Sequence, residues 1–237
     1  MKVAWFSTGA SSFVATYLVK DSVDKIVYIH IGDQHPDSMR YLKDCEKVFG
    51  MKIEILHSQY ETVERVVRQF KYINGVGGAT CTKVLKKRVR KEWERQFKGQ
   101  DITYVWGYDL QEKHRATRLS DNMSNFKHEF PLIDNGLTKN DVHAIAKKLG
   151  VKRPVMYDLG YSNNNCIGCV KGGMGYWNKI RIDFPQVFKE RAGLERLIGA
   201  SCINGVYLDE LDPNRGRMED EIMEDCSIFC QLAMNNL

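Results

Sequence analysis

Cysteine spacing is the first sign of chemistry in this 237-residue chain, which holds seven cysteines. Cys166 and Cys169 form a Cys-x2-Cys pair, with asparagines at 163–165 before it and Gly172 and Gly173 after it. Two thiolates at this spacing lie on one turn and reach a common metal, while glycines let backbone N–H groups face the sulfur atoms. Because the cysteine count is odd and no export signal is recognised, metal binding or thiol chemistry is favoured over a disulfide framework.

A second candidate lies near the start of the chain. The apolar run at 3–6 ends in small or hydroxyl-bearing residues, and a helical apolar pattern resumes at Phe13; the small residues are Ser7, Thr8, Gly9, Ala10, Ser11 and Ser12. Such a strand–loop–helix segment lets a phosphate approach backbone N–H groups at the positive end of the helix dipole. An ordinary turn of small residues has the same pattern, so the segment alone leaves both interpretations open.

Alternating strand and helix patterns must position these residues. Apolar runs at 25–31, 51–56 and 102–106 predict strands, and helical patterns lie near 36–49, 60–70, 82–97 and 138–149. This alternation predicts an α/β fold with a layered, mostly parallel sheet flanked by helices. Right-handed crossovers then place the loops 7–12, 32–37 and 107–115 at one edge of the sheet.

Composition and charge limit the classes of function. No apolar run approaches the roughly 20 residues that span a bilayer, and the first residues do not read as a signal peptide, so we expect a cytoplasmic protein without membrane contact. The net charge of +5 suits an anionic ligand but does not require nucleic acid. We expect an α/β nucleotide-binding domain at 1–160 and a C-terminal appendage at 161–237 that carries the Cys-x2-Cys loop and a cysteine-bearing tail.

Four segments, in order, resemble those of a known family. Residues 7–12 resemble the PP-loop Ser-Gly-Gly-x-Asp-Ser of adenine-nucleotide α-hydrolases, and 31–38 resemble Asp-Thr-Gly-x-x-Phe-Pro-Glu-Thr of adenylyl-sulfate reductases. The segment from Trp106 to Arg118 is similar to Gly-x-Arg-x-x-Glu-Ser-x-x-Arg, and 130–141 to Pro-Leu-x-x-Trp-x-x-x-Asp. The chain thus resembles the phosphoadenosine phosphosulfate (PAPS)/adenylyl-sulfate reductase-like family over roughly residues 1–170, which implies the α-hydrolase-like fold and an adenine-nucleotide ligand.

The resemblance also implies a set of nucleotide-binding residues. They are Ser7, Thr8, Gly9, Ser11 and Ser12 in the opening loop, Gly32 beside adenine, and Gly107, Arg115 and Arg118 after the fourth strand. Ser11 stands where ATP-splitting relatives have an Asp that helps handle a metal ion. The loop is therefore expected to hold a sulfate or phosphate rather than to split ATP.

The resemblance gives the cysteines a cofactor. Adenylyl-sulfate reductases hold a [4Fe–4S] cluster with a Cys-Cys pair and a distant Cys-x2-Cys, and here Cys81, Cys166 and Cys169 match three of the ligands. Cys230 is the expected fourth ligand, with Cys202, Cys226 or an open iron as alternatives. Zinc is the competing metal. If no metal is bound, Cys166 and Cys169 are expected to be reduced, buried thiols in a loop.

The tail around Cys226 resembles the C-terminal Glu-Cys-Gly-x-His of sulfonucleotide reductases, whose thiolate attacks sulfur. This implies a reductase that binds adenylyl sulfate or PAPS, with Cys226 as nucleophile and a thioredoxin-type thiol releasing sulfite. A metal ligand or an inert tail are the alternatives for this segment. Two other functions stay open: an iron–sulfur-dependent sulfur transferase that modifies nucleic acid docked on the basic run 86–91, and a non-catalytic nucleotide-binding module. The oligomeric state is left open.

Overall fold

One five-stranded sheet organises the computed structural model, which describes residues 1–75, 78–218 and 233–234. Its strands are β1 (Lys2–Phe6), β2 (Lys25–His30), β3 (Ile53–His57), β4 (Thr103–Val105) and β5 (Lys127–Glu129). They are all parallel and lie in the order β3-β2-β1-β4-β5. The predicted α/β fold with a parallel sheet flanked by helices is confirmed.

Ten α-helices are described. They are α1 (Ala10–Leu18), α2 (Asp37–Phe49), α3 (Val63–Phe70), α4 (Val89–Glu94), α5 (Lys113–Asn122), α6 (Pro131–Asp134), α7 (Lys139–Lys148), α8 (Val155–Asp158), α9 (Met174–Asp183) and α10 (Pro185–Ile198). A π-helical segment, Thr82–Arg88, leads directly into α4. None of the described helices has the length and apolar character of a membrane span.

The two faces of the sheet bury different layers. Side chains alternate along β1, so Ala4 and Phe6 join the core under α1, α2 and α7, whereas Val3 and Trp5 pack with Trp93 of α4 on the opposite face. A third core lies beneath α9 and α10 and is shared with α3 and the π-helical segment. The C-terminal helices are thus anchored on elements that precede β4 in the chain.

The strand order creates a crevice at the centre of the sheet. β1 pairs with β2 on one side and with β4 on the other, so the chain leaves β1 and β4 in opposite directions. In open parallel sheets, ligands bind beyond the carboxyl ends of the strands at such a switch point. Here the loops that begin at Ser7 and at Trp106 border the crevice, and both were singled out from the sequence.

Asp37 fixes the first turn of α2 to the segment before α8. Its carboxylate accepts two bonds from Arg40 at 2.8 Å each and one from the Val155 N–H at 2.9 Å. Arg40 also donates to the backbone carbonyls of Lys152 and Arg153. The ion pair with Arg40, aided by the Val155 N–H, lowers the pKa of Asp37 below its usual value.

We predict that Asp37→Asn lowers the free energy of unfolding at pH 7 by about 1–3 kcal/mol, because bonds to a charged acceptor are lost. Since the folded pKa is depressed, the contribution of Asp37 is complete above its unfolded pKa of about 3.9 and is lost as the pH falls through the folded value. The difference between variant and wild type should therefore narrow below about pH 4, as measured by urea denaturation. Asp21→Asn, at a highly exposed carboxylate, is the control and should change little at either pH.

Candidate functional site

The opening loop connects β1 to α1 and is held together by hydrogen bonds of the buried Ser12 side chain. The Ser12 Oγ accepts from the Ser7 N–H and the Ser7 hydroxyl, both at 3.1 Å, and donates to the Gly9 carbonyl at 2.9 Å. Gly9 is the N-cap of α1 and has no side chain to satisfy the first N–H groups of the helix. Ser7, Gly9, Ser11 and Ser12 line one cavity, so the loop presents a helix N-terminus to a ligand.

Thr8 has a different role from its neighbours. Its side chain is fully buried and it lines neither of the cavities described here. Its φ is +58°, a left-handed conformation that glycine adopts easily and that is unusual for a β-branched residue. Thr8 therefore shapes the loop from beneath, outside the cavity that its neighbours line.

Gly107 brings the end of β4 against the start of α1. A Cβ at this position would lie 2.6 Å from the Ser12 backbone and 2.7 Å from the Ser11 carbonyl carbon. Only glycine permits this approach, and Gly107 lines the same cavity as the opening loop. The cavity at the switch point has a volume of about 480 Å³, within the size range of sites for small molecules and cofactors.

Arg115 is the guanidinium at this cavity that the sequence predicted. It pairs with Glu112 and lies over the Tyr108 ring, 5.1 Å from its centroid. Glu112 is the one carboxylate among the described residues that line either cavity, and burial raises its pKa. The other charged groups on the cavity wall are cationic: Lys86, Lys87, Arg90 and Lys171 lie beside Arg115, and Arg90 is paired with Glu94 at 3.1 Å.

Two residues expected at the nucleotide site lie elsewhere. Arg118 is exposed on α5 and lines neither cavity. Gly32 is exposed and lies against the loop before α3: its N–H donates to the Glu61 carbonyl at 2.9 Å, and a Cβ would lie 3.1 Å from Thr62. Gly32 lines neither cavity, and its predicted place beside adenine stays a prediction.

The structure brings three of the predicted metal ligands together. Cys81, at the start of the π-helical segment, and Cys166 and Cys169, in the loop before α9, line one cavity of about 490 Å³. Burial raises the pKa of Cys166 to about 12 and raises the pKa of Cys81, with mutual repulsion among the thiols adding to the effect. Lys86 acts in the opposite direction and favours the thiolate at both positions.

The three thiols are chemically suited to hold the iron–sulfur cluster that the family resemblance implies. Three partly buried thiols line one cavity, and Lys86 and Lys171 on its wall would offset the charge of thiolate ligands. Within the described ranges, no group of three His, Cys, Asp or Glu side chains is arranged to hold a single metal ion. A four-iron cluster is larger than one ion and separates its ligands more widely, so Cys81, Cys166 and Cys169 would be the residues to hold it.

Several supporting residues were missed from the sequence. The Ile167 N–H donates to the Asp33 carbonyl at 2.8 Å, and Cys166 pairs with Gln34 in an antiparallel bridge. The Tyr176 hydroxyl accepts from the Cys169 N–H at 2.9 Å and donates to the Cys166 carbonyl at 3.1 Å. The contacts with Asp33 and Gln34 join segments far apart in the chain, and no local pattern in the sequence indicates them.

The cavity that holds the cysteines and the cavity at the switch point share a wall. Both are lined by Thr82, Lys86, Arg115, Asn163, Asn165 and Lys171. An anion held at the N-terminus of α1 would therefore lie beside the same cations that border the cysteines. Cys45 and Cys202 are buried free thiols outside both cavities. The predicted nucleophile Cys226 and the predicted ligand Cys230 lie outside the described residues.

Gly107→Ala should disrupt the site because its methyl group would meet the α1 backbone, which cannot give way as a flexible side chain can. We expect a lower melting temperature by differential scanning fluorimetry and the loss of adenosine monophosphate binding by calorimetry. Gly193→Ala, within α10, is the control, because a Cβ there meets nothing within 4 Å and alanine favours helix. Equal behaviour of the two variants would contradict the close approach of β4 and α1.

This chain is similar to a curated protein and to solved structures. An uncharacterized protein from Methanocaldococcus jannaschii is 20% identical over 198 residues, covering 78% of this chain. The chain spans about two fifths, 39%, of the length of that curated relative. Among solved structures, a PAPS reductase from Candida auris in a phosphate complex is 12% identical, with a TM-score of 0.49, covering 68% of this chain and 78% of that one.

A second solved structure is the U34-tRNA thiolase NcsA from Methanococcus maripaludis with its [4Fe–4S] cluster. It is 13% identical, with a TM-score of 0.45, over 99% of this chain and 80% of the other. The sequence model of the phosphoadenosine phosphosulfate reductase domain matches residues 2–172, which is most of the chain and includes the opening loop, Gly107 and all three cysteines of the second cavity. The chain therefore belongs to the phosphoadenosine phosphosulfate reductase domain family.

Proposed function

We propose that this protein is a sulfonucleotide reductase-like enzyme, which binds adenylyl sulfate or PAPS in the switch-point cavity and reduces the sulfur by thiol attack. The observation that carries the proposal is the cationic wall shared by the nucleotide cavity and the cysteine cavity. It supports a ligand whose anionic end lies next to sulfur chemistry. Family membership supports the adenine nucleotide.

The anionic end of the substrate would bind at the first turn of α1. Gly9 offers no capping side chain, so the first N–H groups of α1 suit a phosphate or sulfate oxygen, apart from that of Ala10, which donates to the Tyr157 hydroxyl at 3.3 Å. Arg115 offers a planar guanidinium on the same cavity. Lys86 and Lys171 lie on the shared wall, where the transferred group would sit. No described carboxylate forms an ion pair with either lysine, so their charge is available to the ligand.

The chemistry would take place in two displacements. A cysteine thiolate attacks the sulfonyl sulfur, an S–S bond forms, and the S–O bond to the nucleotide breaks, leaving an S-sulfocysteine and a free nucleotide phosphate. A thioredoxin-type dithiol then attacks the cysteine sulfur, releases sulfite and becomes oxidised to a disulfide. Cys226 is the proposed nucleophile because the sequence around it resembles the reactive tail of sulfonucleotide reductases.

Cys81, Cys166 and Cys169 would hold the [4Fe–4S] cluster beside this reaction. When bound, such a cluster would supply redox-active iron. It would also add a local negative charge, which the neighbouring lysines would offset in part. Residues of this chain support the ligand cysteines. Lys86 and Lys171 favour the thiolate forms, and the Tyr176 hydroxyl binds the Cys166 carbonyl and the Cys169 N–H.

The basic run 86–91 is the candidate surface for nucleic acid. Lys86 and Lys87 line the nucleotide cavity, so part of the charge of the run borders a cavity of small-molecule size; Arg90 also lines it but is paired with Glu94. The geometry therefore supports an anionic nucleotide better than a docked strand.

We expect protein purified without oxygen to contain iron and acid-labile sulfide in equal amounts. Cys81→Ser, Cys166→Ser and Cys169→Ser should each reduce both by more than half, because a ligand is lost. Cys45→Ala is the control, since that thiol lies in the core outside both cavities. Zinc without sulfide would favour the zinc alternative, and a preparation with none of these would contradict the metal centre.

Activity is tested by sulfite release from adenylyl sulfate and from PAPS with a thioredoxin-type reductant. The wild type should release sulfite from at least one of them, and Cys226→Ser should abolish the release. Arg115→Ala should raise KM by about 10- to 100-fold, the cost of a lost charge-assisted bond. Arg118→Ala is the matched control and should leave KM unchanged, because Arg118 lines neither cavity. Nucleotide binding without sulfite from either substrate would instead indicate a non-catalytic module.

A further inference from the structure

Asn164 occupies a buried position between the opening loop and α2. Its side-chain amide donates to the Thr8 carbonyl at 2.7 Å and to the Ser38 hydroxyl at 3.0 Å, and approaches the Thr8 hydroxyl at 3.3 Å. Asn164 is 6% exposed, and its Oδ1 is buried with no hydrogen-bond partner among the described residues. A buried, unpaired amide oxygen costs free energy, so packing alone does not explain an asparagine here.

The group that Asn164 holds is a strained one. Thr8 has a φ of +58° although it is β-branched, and its buried carbonyl must have a donor. Position 8 is the second of the six-residue segment, where the PP-loop pattern Ser-Gly-Gly-x-Asp-Ser has glycine. The Gln34 amide also approaches the Thr8 hydroxyl, at 3.3 Å, but Asn164 supplies the bond to the carbonyl.

The Thr8 conformation sets the direction of the next peptide group. That peptide ends in the N–H of Gly9, the N-cap residue of α1, and Gly9 lines the nucleotide cavity. If Thr8 relaxed to a negative φ, this part of the loop would rotate and the N-terminus of α1 would lose its alignment with the anion.

We propose that Asn164 is a positioning residue that holds the opening loop in its anion-binding form by stabilising the left-handed Thr8. The inference rests on the proposed function only in that the anion belongs to an adenine nucleotide. Asn164 lies at the edge of the nucleotide cavity, but its side-chain amide donates to Thr8 and Ser38, so its effect on the loop is exerted through Thr8. It belongs to the same loop as Cys166, so the segment that carries the cysteines also sets the geometry of the anion site.

This role makes a specific prediction for a double substitution. Asn164→Ala should weaken adenosine monophosphate binding about 10- to 100-fold, as the strained conformation loses its donor. Thr8→Gly alone should bind with wild-type affinity, because glycine adopts the left-handed conformation without strain. The double variant Asn164→Ala with Thr8→Gly should recover to within about threefold of the wild type. A general packing role for Asn164 would not produce this rescue.

The experiment is calorimetric titration with adenosine monophosphate, with melting temperatures recorded for each variant. Asn122→Ala, at an exposed asparagine on α5, is the matched control and should not change the affinity. If Asn164→Ala alone does not fold, the double variant is compared with Thr8→Gly, and equal affinities within threefold support the proposal.

Three results would overturn the inference. The first is wild-type affinity in folded Asn164→Ala, and the second is a folded double variant that still binds weakly. The third is a wild type that does not bind adenosine monophosphate, which would also remove the nucleotide from the proposed function. The first two leave that function intact, so the two failures are distinguishable.

Discussion

The contact between the Gly107 backbone and the first turn of α1 is the constraint on which the site depends. It fixes the distance between the ends of β1 and β4, the two strands that border the crevice. The cavity has its shape because a residue with a side chain cannot occupy position 107. With this distance set, the α1 N-terminus and Arg115 face the same space, and ligand binding does not have to bring them together.

Electrostatics give the crevice its chemical character. Lysines and arginines line it, Glu112 is neutralised in part by its pairing with Arg115, and the helix dipole adds positive potential. The cysteines line the adjoining cavity, where burial raises the pKa of Cys166 and Lys86 acts in the opposite direction. One set of cations thus serves two adjoining sites, one for an oxyanion and one for sulfur.

Much of this arrangement could be predicted from the sequence because it depends on local patterns. The strand runs, the helical pattern of α7 and the loop after β1 are encoded in residues close together in the chain, and the structure confirms them. The convergence of Cys81 with the Cys-x2-Cys pair came from family resemblance and not from spacing. Arg118 and Gly32 fit the family's pattern but lie outside the cavities, because a motif gives residue order and not side-chain direction.

The rest depends on contacts between distant segments, which leave no periodic signal. Asn164, Gln34 and Tyr176 are ordinary polar residues in the sequence, and only the folded chain shows that they support both loops. Helix α5 was also missed, because its polar composition leaves only Ala116 buried. The tail with Cys226 and Cys230 lies outside the described residues, so its predicted roles stay predictions.

Thr8 has a consequence for how related proteins are recognised. A search that requires glycine at the second position of the loop would reject this chain, although its backbone takes the shape that glycine would give. The missing glycine is compensated by an amide 156 positions later in the chain. Distant relatives could therefore be found by a paired criterion, in which a side chain at position 8 is accepted when an asparagine stands two residues before the Cys-x2-Cys.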